Sequence, residues 1–169
     1  MLLSVRSQPI VKSVLYAVLS LFSLCFSAAF FPALGGDSGT PFLSVAIVAA
    51  LTVREGIRYG SVFAAVLGAL EAFVFGNSPL VFMLFYLGFA FLCTSLSGSF
   101  FSGGFLPWAL FTLGGILLHA ALGLFAPVAN WQVSAFKLLS SGALQSILLS
   151  ALFSLPIYWI VSKIKKKTE

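Results

Sequence analysis

Apolar residues run in long blocks along this chain, and the polar residues between them are gathered into short clusters. From Val14 to Leu34 there is no charged residue, and the pattern then recurs. Uncharged blocks of about 20 residues match the hydrocarbon thickness of a bilayer. The pattern predicts spans at Val11 to Phe31, Pro41 to Val53, Tyr59 to Phe75, Leu80 to Gly98, Phe105 to Phe125 and Ala135 to Val161. The second block is short for a crossing of about 30 Å. It is expected to be tilted less, broken, or continued through Arg54 and Glu55 as a helix buried against protein. Turn signals separate the blocks: Pro32 with Gly35-Gly36-Asp37-Ser38-Gly39, then Asn77-Ser78-Pro79, Ser102-Gly103-Gly104, and Pro127 to Gln132. The first block, with Arg6 and Lys12 ahead of it and Ser27-Ala28-Ala29 inside it, also fits a secretory leader. It is long for one and five more blocks follow, so an uncleaved first span is expected.

Composition narrows the class further. Apolar residues make up 60% of the 169 and charged residues 8%, against about 25% charged in a soluble domain. The expectation is an all-α integral membrane protein, one six-helix transmembrane domain over residues 1–169 with a short basic tail at about 162–169. No length remains for a separate enzyme domain, so a non-enzymatic role without a cofactor is expected. The net charge of +5 could suggest nucleic acid, but the basic residues flank apolar blocks without aromatic interleaving. An even number of spans puts Arg6, Lys12, Arg54, Arg58, Lys163, Lys165, Lys166 and Lys167 on one side and only Lys137 on the other. The positive-inside rule makes the first side, with both termini, cytoplasmic. The C-terminal lysines read first as a topology signal and second as a contact for anionic lipid.

Few side chains carry candidate chemistry. Gly60, Ala64 and Gly68 recur every four residues and form a smooth stripe where another backbone can come close. Glu71 lies near the same face. A carboxylate at that depth costs roughly 2.5–3.5 kcal/mol on insertion scales, so it should face the bundle, pair, or carry a proton. Its two readings are a proton or ligand site and an interhelical hydrogen-bond anchor, and the lack of a second intramembrane carboxylate favours the anchor. His119 reads as a neutral histidine bonded within the bundle and within reach of Glu71; a lone histidine suggests no metal. Cys25 and Cys93 fall in apolar runs and behave as small hydrophobes. Trp108, Trp131, Tyr158 and Trp159 lie near span ends, where amphipathic rings anchor depth.

The segment Arg54-Glu55-Gly56-Ile57-Arg58-Tyr59-Gly60, followed by Gly68-Ala69-Leu70-Glu71 and Gly76-Asn77, resembles the rod shape-determining MreD family. The likeness extends to size, about six spans and both ends inside. Ala65 and Ala69 stand where bulkier residues or glycine are typical, and Glu71 where aspartate is more usual. The resemblance implies a scaffold of the bacterial cell-elongation machinery in the cytoplasmic membrane. It would bind an MreC-like bitopic partner and work with MreB, a SEDS glycosyltransferase and a class B penicillin-binding protein in lateral peptidoglycan synthesis. Gly60, Ala64, Gly68 and Glu71 would then form the partner-docking face. Arg54, Glu55 and Arg58 would form a cytoplasmic turn facing a partner or lipid headgroups.

A second family is similar in size and span number: the substrate-binding S component of energy-coupling-factor vitamin transporters, whose fold MreD-like proteins would share. Its ligand contacts would have to come from Asp37, Asn77, Asn130, Trp131 and Gln132, and its docking pattern from Ser13, Ala17, Ser20 and Ser23. Both sets are thin. An ion-conducting bundle is weaker still, since the spans hold too few polar residues to line a pore.

Overall fold

The computed structural model describes residues 2–30, 41–76, 78–100, 105–129 and 144–168, and these form helices joined by short connections. The helices are α1 (Leu2–Cys25, continued by a π-helical turn at Phe26–Phe30), α2 (Leu43–Glu55), α3 (Ile57–Phe75), α4 (Pro79–Phe100), α5 (Phe105–Ala129) and α6 (Leu144–Thr168). Five of them contain a stretch long and apolar enough to cross a membrane; α2, at 13 residues, does not. The chain is an all-α, multi-pass membrane bundle. The expected loop Gly35-Gly36-Asp37-Ser38-Gly39, Asn77, Ser102-Gly103-Gly104, Asn130 to Gln132, Lys137 and the stretch from Ala135 to residue 143 lie outside the described residues.

Helix α2 organises the bundle. All ten residues from Leu43 to Thr52 are buried, as expected of a helix that is apolar all round. Alanines and valines keep it slim, and α1, α3, α4, α5 and α6 all pack on it. At 1.5 Å per residue it is about 20 Å long, so both its ends lie within protein and need partners there. At the start, the Phe42 amide donates to Ser150 Oγ at 2.7 Å. At the end, Lys165 Nζ donates to the Arg54 carbonyl at 2.6 Å, placing a cation on the negative pole of the helix.

One residue, Gly56, turns the chain from α2 into α3. Its φ of +86° lies in the left-handed region, which a side chain would strain. Gly76, at φ +70°, ends α3 the same way, its amide bonded to the Ala72 carbonyl.

Several boundaries differ from expectation. The first helix begins at Leu2, α5 continues through Pro127 to Ala129, and α6 runs to Thr168. The basic stretch at 162–168 is therefore helix and not tail, because lysine is a good helix former and Lys165 is held against α2. Trp108 is also not an interfacial anchor. It is buried, its indole N–H meeting the Ala46 carbonyl at 3.4 Å and its ring against Tyr158 at 4.6 Å. Trp159 is exposed, with the Lys163 amine 3.5 Å from its ring centroid.

Candidate functional site

Glu71 is the centre of a polar cluster built by four helices. Tyr86 of α4 donates its hydroxyl proton to Glu71 Oε2 at 2.6 Å. His119 of α5 brings Nε2 to 2.7 Å from Oε1, and Ser44 of α2 is a further polar neighbour of the same carboxylate. All four are buried. A buried carboxylate needs polar partners within the bundle, and Tyr86 and His119 supply them from two neighbouring helices. The His119 contact is close but poorly directed, for among the described residues neither ring nitrogen has a well-aligned hydrogen-bond partner. Aromatic rings hold the imidazole instead: Phe42 at 4.4 Å, Phe82 at 5.4 Å, Phe85 at 5.7 Å and Tyr86 at 6.0 Å between centroids.

Glycines one turn away bring these helices close enough. A Cβ on Gly68 would lie 2.8 Å from the Phe82 carbonyl oxygen and 2.9 Å from Met83 Cα, so only glycine lets α4 approach α3 here. A Cβ on Gly115, four residues before His119, would sit 2.5 Å from the Phe89 ring and 2.6 Å from Val45 Cγ1. A Cβ on Gly60 would meet Thr52 Oγ1 at 2.3 Å. Gly60, Ala64, Gly68 and Glu71 are all buried. The expected docking face is thus filled from within the chain by α2 and α4, and corrects to an internal seam. The close backbone approach expected of the stripe is present, but both helices belong to this chain.

A second polar cluster lies at the end of the bundle that holds the termini of α2 and α6. Lys12 Nζ pairs with Glu55 Oε2 at 2.6 Å, and Tyr16 donates to Glu55 Oε1 at 2.9 Å. Arg54 donates to the Tyr158 hydroxyl and lies over that ring, 4.7 Å from its centroid. Arg54 and Glu55 are therefore committed to contacts between helices; of the expected turn, only Arg58 is exposed. Tyr16, Tyr86 and Tyr158 are the site residues that reading the sequence missed. The available signal was that a tyrosine inside an apolar span needs a partner for its hydroxyl.

Outside the cage of His119, α4 and α5 touch only sparsely and leave a cleft of about 440 Å³ open to lipid. Leu84, Gly88 and Leu92 of α4 line one wall, and Leu118, Ala121 and Leu122 of α5 the other. Nothing lies within 4 Å of where a Cβ on Gly88 would be. Phe85 lines the cleft and also contacts His119.

Fold and site together define a six-helix membrane bundle with a buried axial helix, an internal carboxylate–imidazole anchor and an apolar lateral cleft. No protein-family model, curated protein or solved structure matches the chain.

Proposed function

We propose that this chain is a non-enzymatic scaffold of the MreD type in a bacterial cytoplasmic membrane, with both termini cytoplasmic. It holds the single transmembrane helix of an MreC-like bitopic partner and, with MreB, a SEDS glycosyltransferase and a class B penicillin-binding protein, serves cell shape and lateral peptidoglycan synthesis. The topology and the Arg54 to Asn77 segment motivate the family. The cleft between α4 and α5 is the observation that carries partner binding. In lipid, helices associate through close van der Waals contact against small residues, and Gly88 opposite Ala121 presents such a surface with no occupant among the described residues.

Affinity purification from the native membrane tests the reading. The wild type is expected to recover a bitopic coiled-coil protein. Gly88→Leu is expected to lose it, while Leu152→Trp, on an exposed position of α6, keeps it. Recovery of two ATPases and a transmembrane T component instead would overturn the scaffold in favour of a transporter subunit. Equal partner recovery from both variants would remove the cleft.

A further inference from the structure

A second lateral groove, of about 600 Å³, runs between α1 and α3 and differs from the first in carrying a charge. Ser13 and Ala17 of α1 and Val62 and Val66 of α3 line its length, with Arg58 and Tyr59 at one end. We propose that this groove binds one anionic phospholipid, its acyl chain along the apolar length and its phosphate on Arg58.

Arg58 is the charged residue that lines the groove, and it differs from its basic neighbours in the bundle. Lys12 is held by Glu55, Arg54 by Tyr158 and Lys165 by the Arg54 carbonyl. Arg58 is exposed and has no acidic partner among the described residues. It is the second residue of α3, whose cap is Gly56 with no side chain to bond the first-turn amides. Its guanidinium fork is suited to phosphate oxygens. A purely apolar partner helix in this groove would leave the guanidinium without a counter-charge. The α4–α5 cleft, lined by apolar residues alone, makes no such demand. The two lateral surfaces therefore select different occupants.

Native mass spectrometry of the purified full chain tests the site, with phosphatidylglycerol and phosphatidylcholine of identical acyl chains as probes. Phosphatidylglycerol is expected to be retained about fivefold better, and Arg58→Gln to remove that advantage, the loss set by one basic residue at a membrane surface. Ala17→Phe fills the groove from an exposed position and is expected to abolish retention of the anionic lipid. Lys166→Gln, which removes an exposed cation from the same end, and Gly88→Leu leave retention unchanged. Millimolar inorganic phosphate does not displace the lipid, because the acyl chain supplies part of the binding. Equal retention of both lipids, indifference to Arg58→Gln in a variant that keeps its helical circular dichroism, or displacement by phosphate would each overturn the proposal.

Discussion

Three of the four tyrosines in this chain hydrogen-bond through the hydroxyl to a charged side chain from another helix: Tyr16 with Glu55, Tyr86 with Glu71, and Tyr158 with Arg54. A tyrosine suits the task because its ring packs as a hydrophobe while its hydroxyl satisfies a group that lipid cannot. The Glu71–His119 contact was legible in the sequence, since each is a lone ionisable residue in its span and such groups seek one another. Tyr86 was not legible as the third member. Nothing in spacing along one helix says which residue of a neighbouring helix lies opposite, and that depends on how closely Gly68 lets α4 approach. Tyr86→Phe is expected to lower the unfolding free energy in micelles by about 1–2 kcal/mol. In a Glu71→Ala background the same change should have almost no effect. A double-mutant cycle by reversible denaturation reads the difference directly, and additive effects would show that the hydroxyl and carboxylate do not interact.

The glycines divide by what their missing side chains would meet, and so divide the helices into internal seams and open walls. Gly68 abuts backbone of α4, whereas Gly88 faces open space. Gly68→Leu must push α4 away from α3 and pull Tyr86 from Glu71; the expected loss is about 1–3 kcal/mol or more of stability. Gly88→Leu should change stability by less than about 1 kcal/mol while disturbing partner binding. Thermal melts in detergent beside partner recovery separate the two outcomes, and equal destabilisation would mean that both glycines are interior. Four-residue spacing marked Gly60, Ala64 and Gly68 as a close-approach surface, which they are. It could not say whether the approaching helix is the chain's own, because an inner and an outer stripe of small residues look alike in sequence. The short block at Pro41 to Val53 was partly informative. Its length left a less tilted crossing, a break or a helix buried against protein open, and the structure has the last, at the centre of five others.

Across the whole bundle, the axial helix ties topology to charge. Glu55, at the end of α2, contacts Lys12 of α1, and the neighbouring Arg54 carbonyl accepts from Lys165 of α6. These contacts place the basic stretches of the first and last helices at the same end as the turn into α3. The clustering of cations made that arrangement legible, since only an even number of crossings gathers Lys12, Arg58 and the C-terminal lysines on one side. Which partner each cation takes was not legible: Arg54 and Arg58, four residues apart, read alike, yet one is locked against Tyr158 and the other exposed at a groove. Single-cysteine labelling in a background of Cys25→Ala and Cys93→Ala tests the arrangement as a whole. An impermeant maleimide is expected to reach Arg58→Cys and Lys166→Cys from one side of sealed vesicles and Ser78→Cys from the other, as Ser78 precedes α4 at the far end of α3. Opposite-sided reaction of the first two variants would break the link between α2 and α6. If α2 stopped short without returning the chain across the bundle, Arg58 and Ser78 would exchange sides relative to Lys12. The Lys12–Glu55 contact would then be lost, and the pairing Lys12→Glu with Glu55→Lys would recover no stability over either single change.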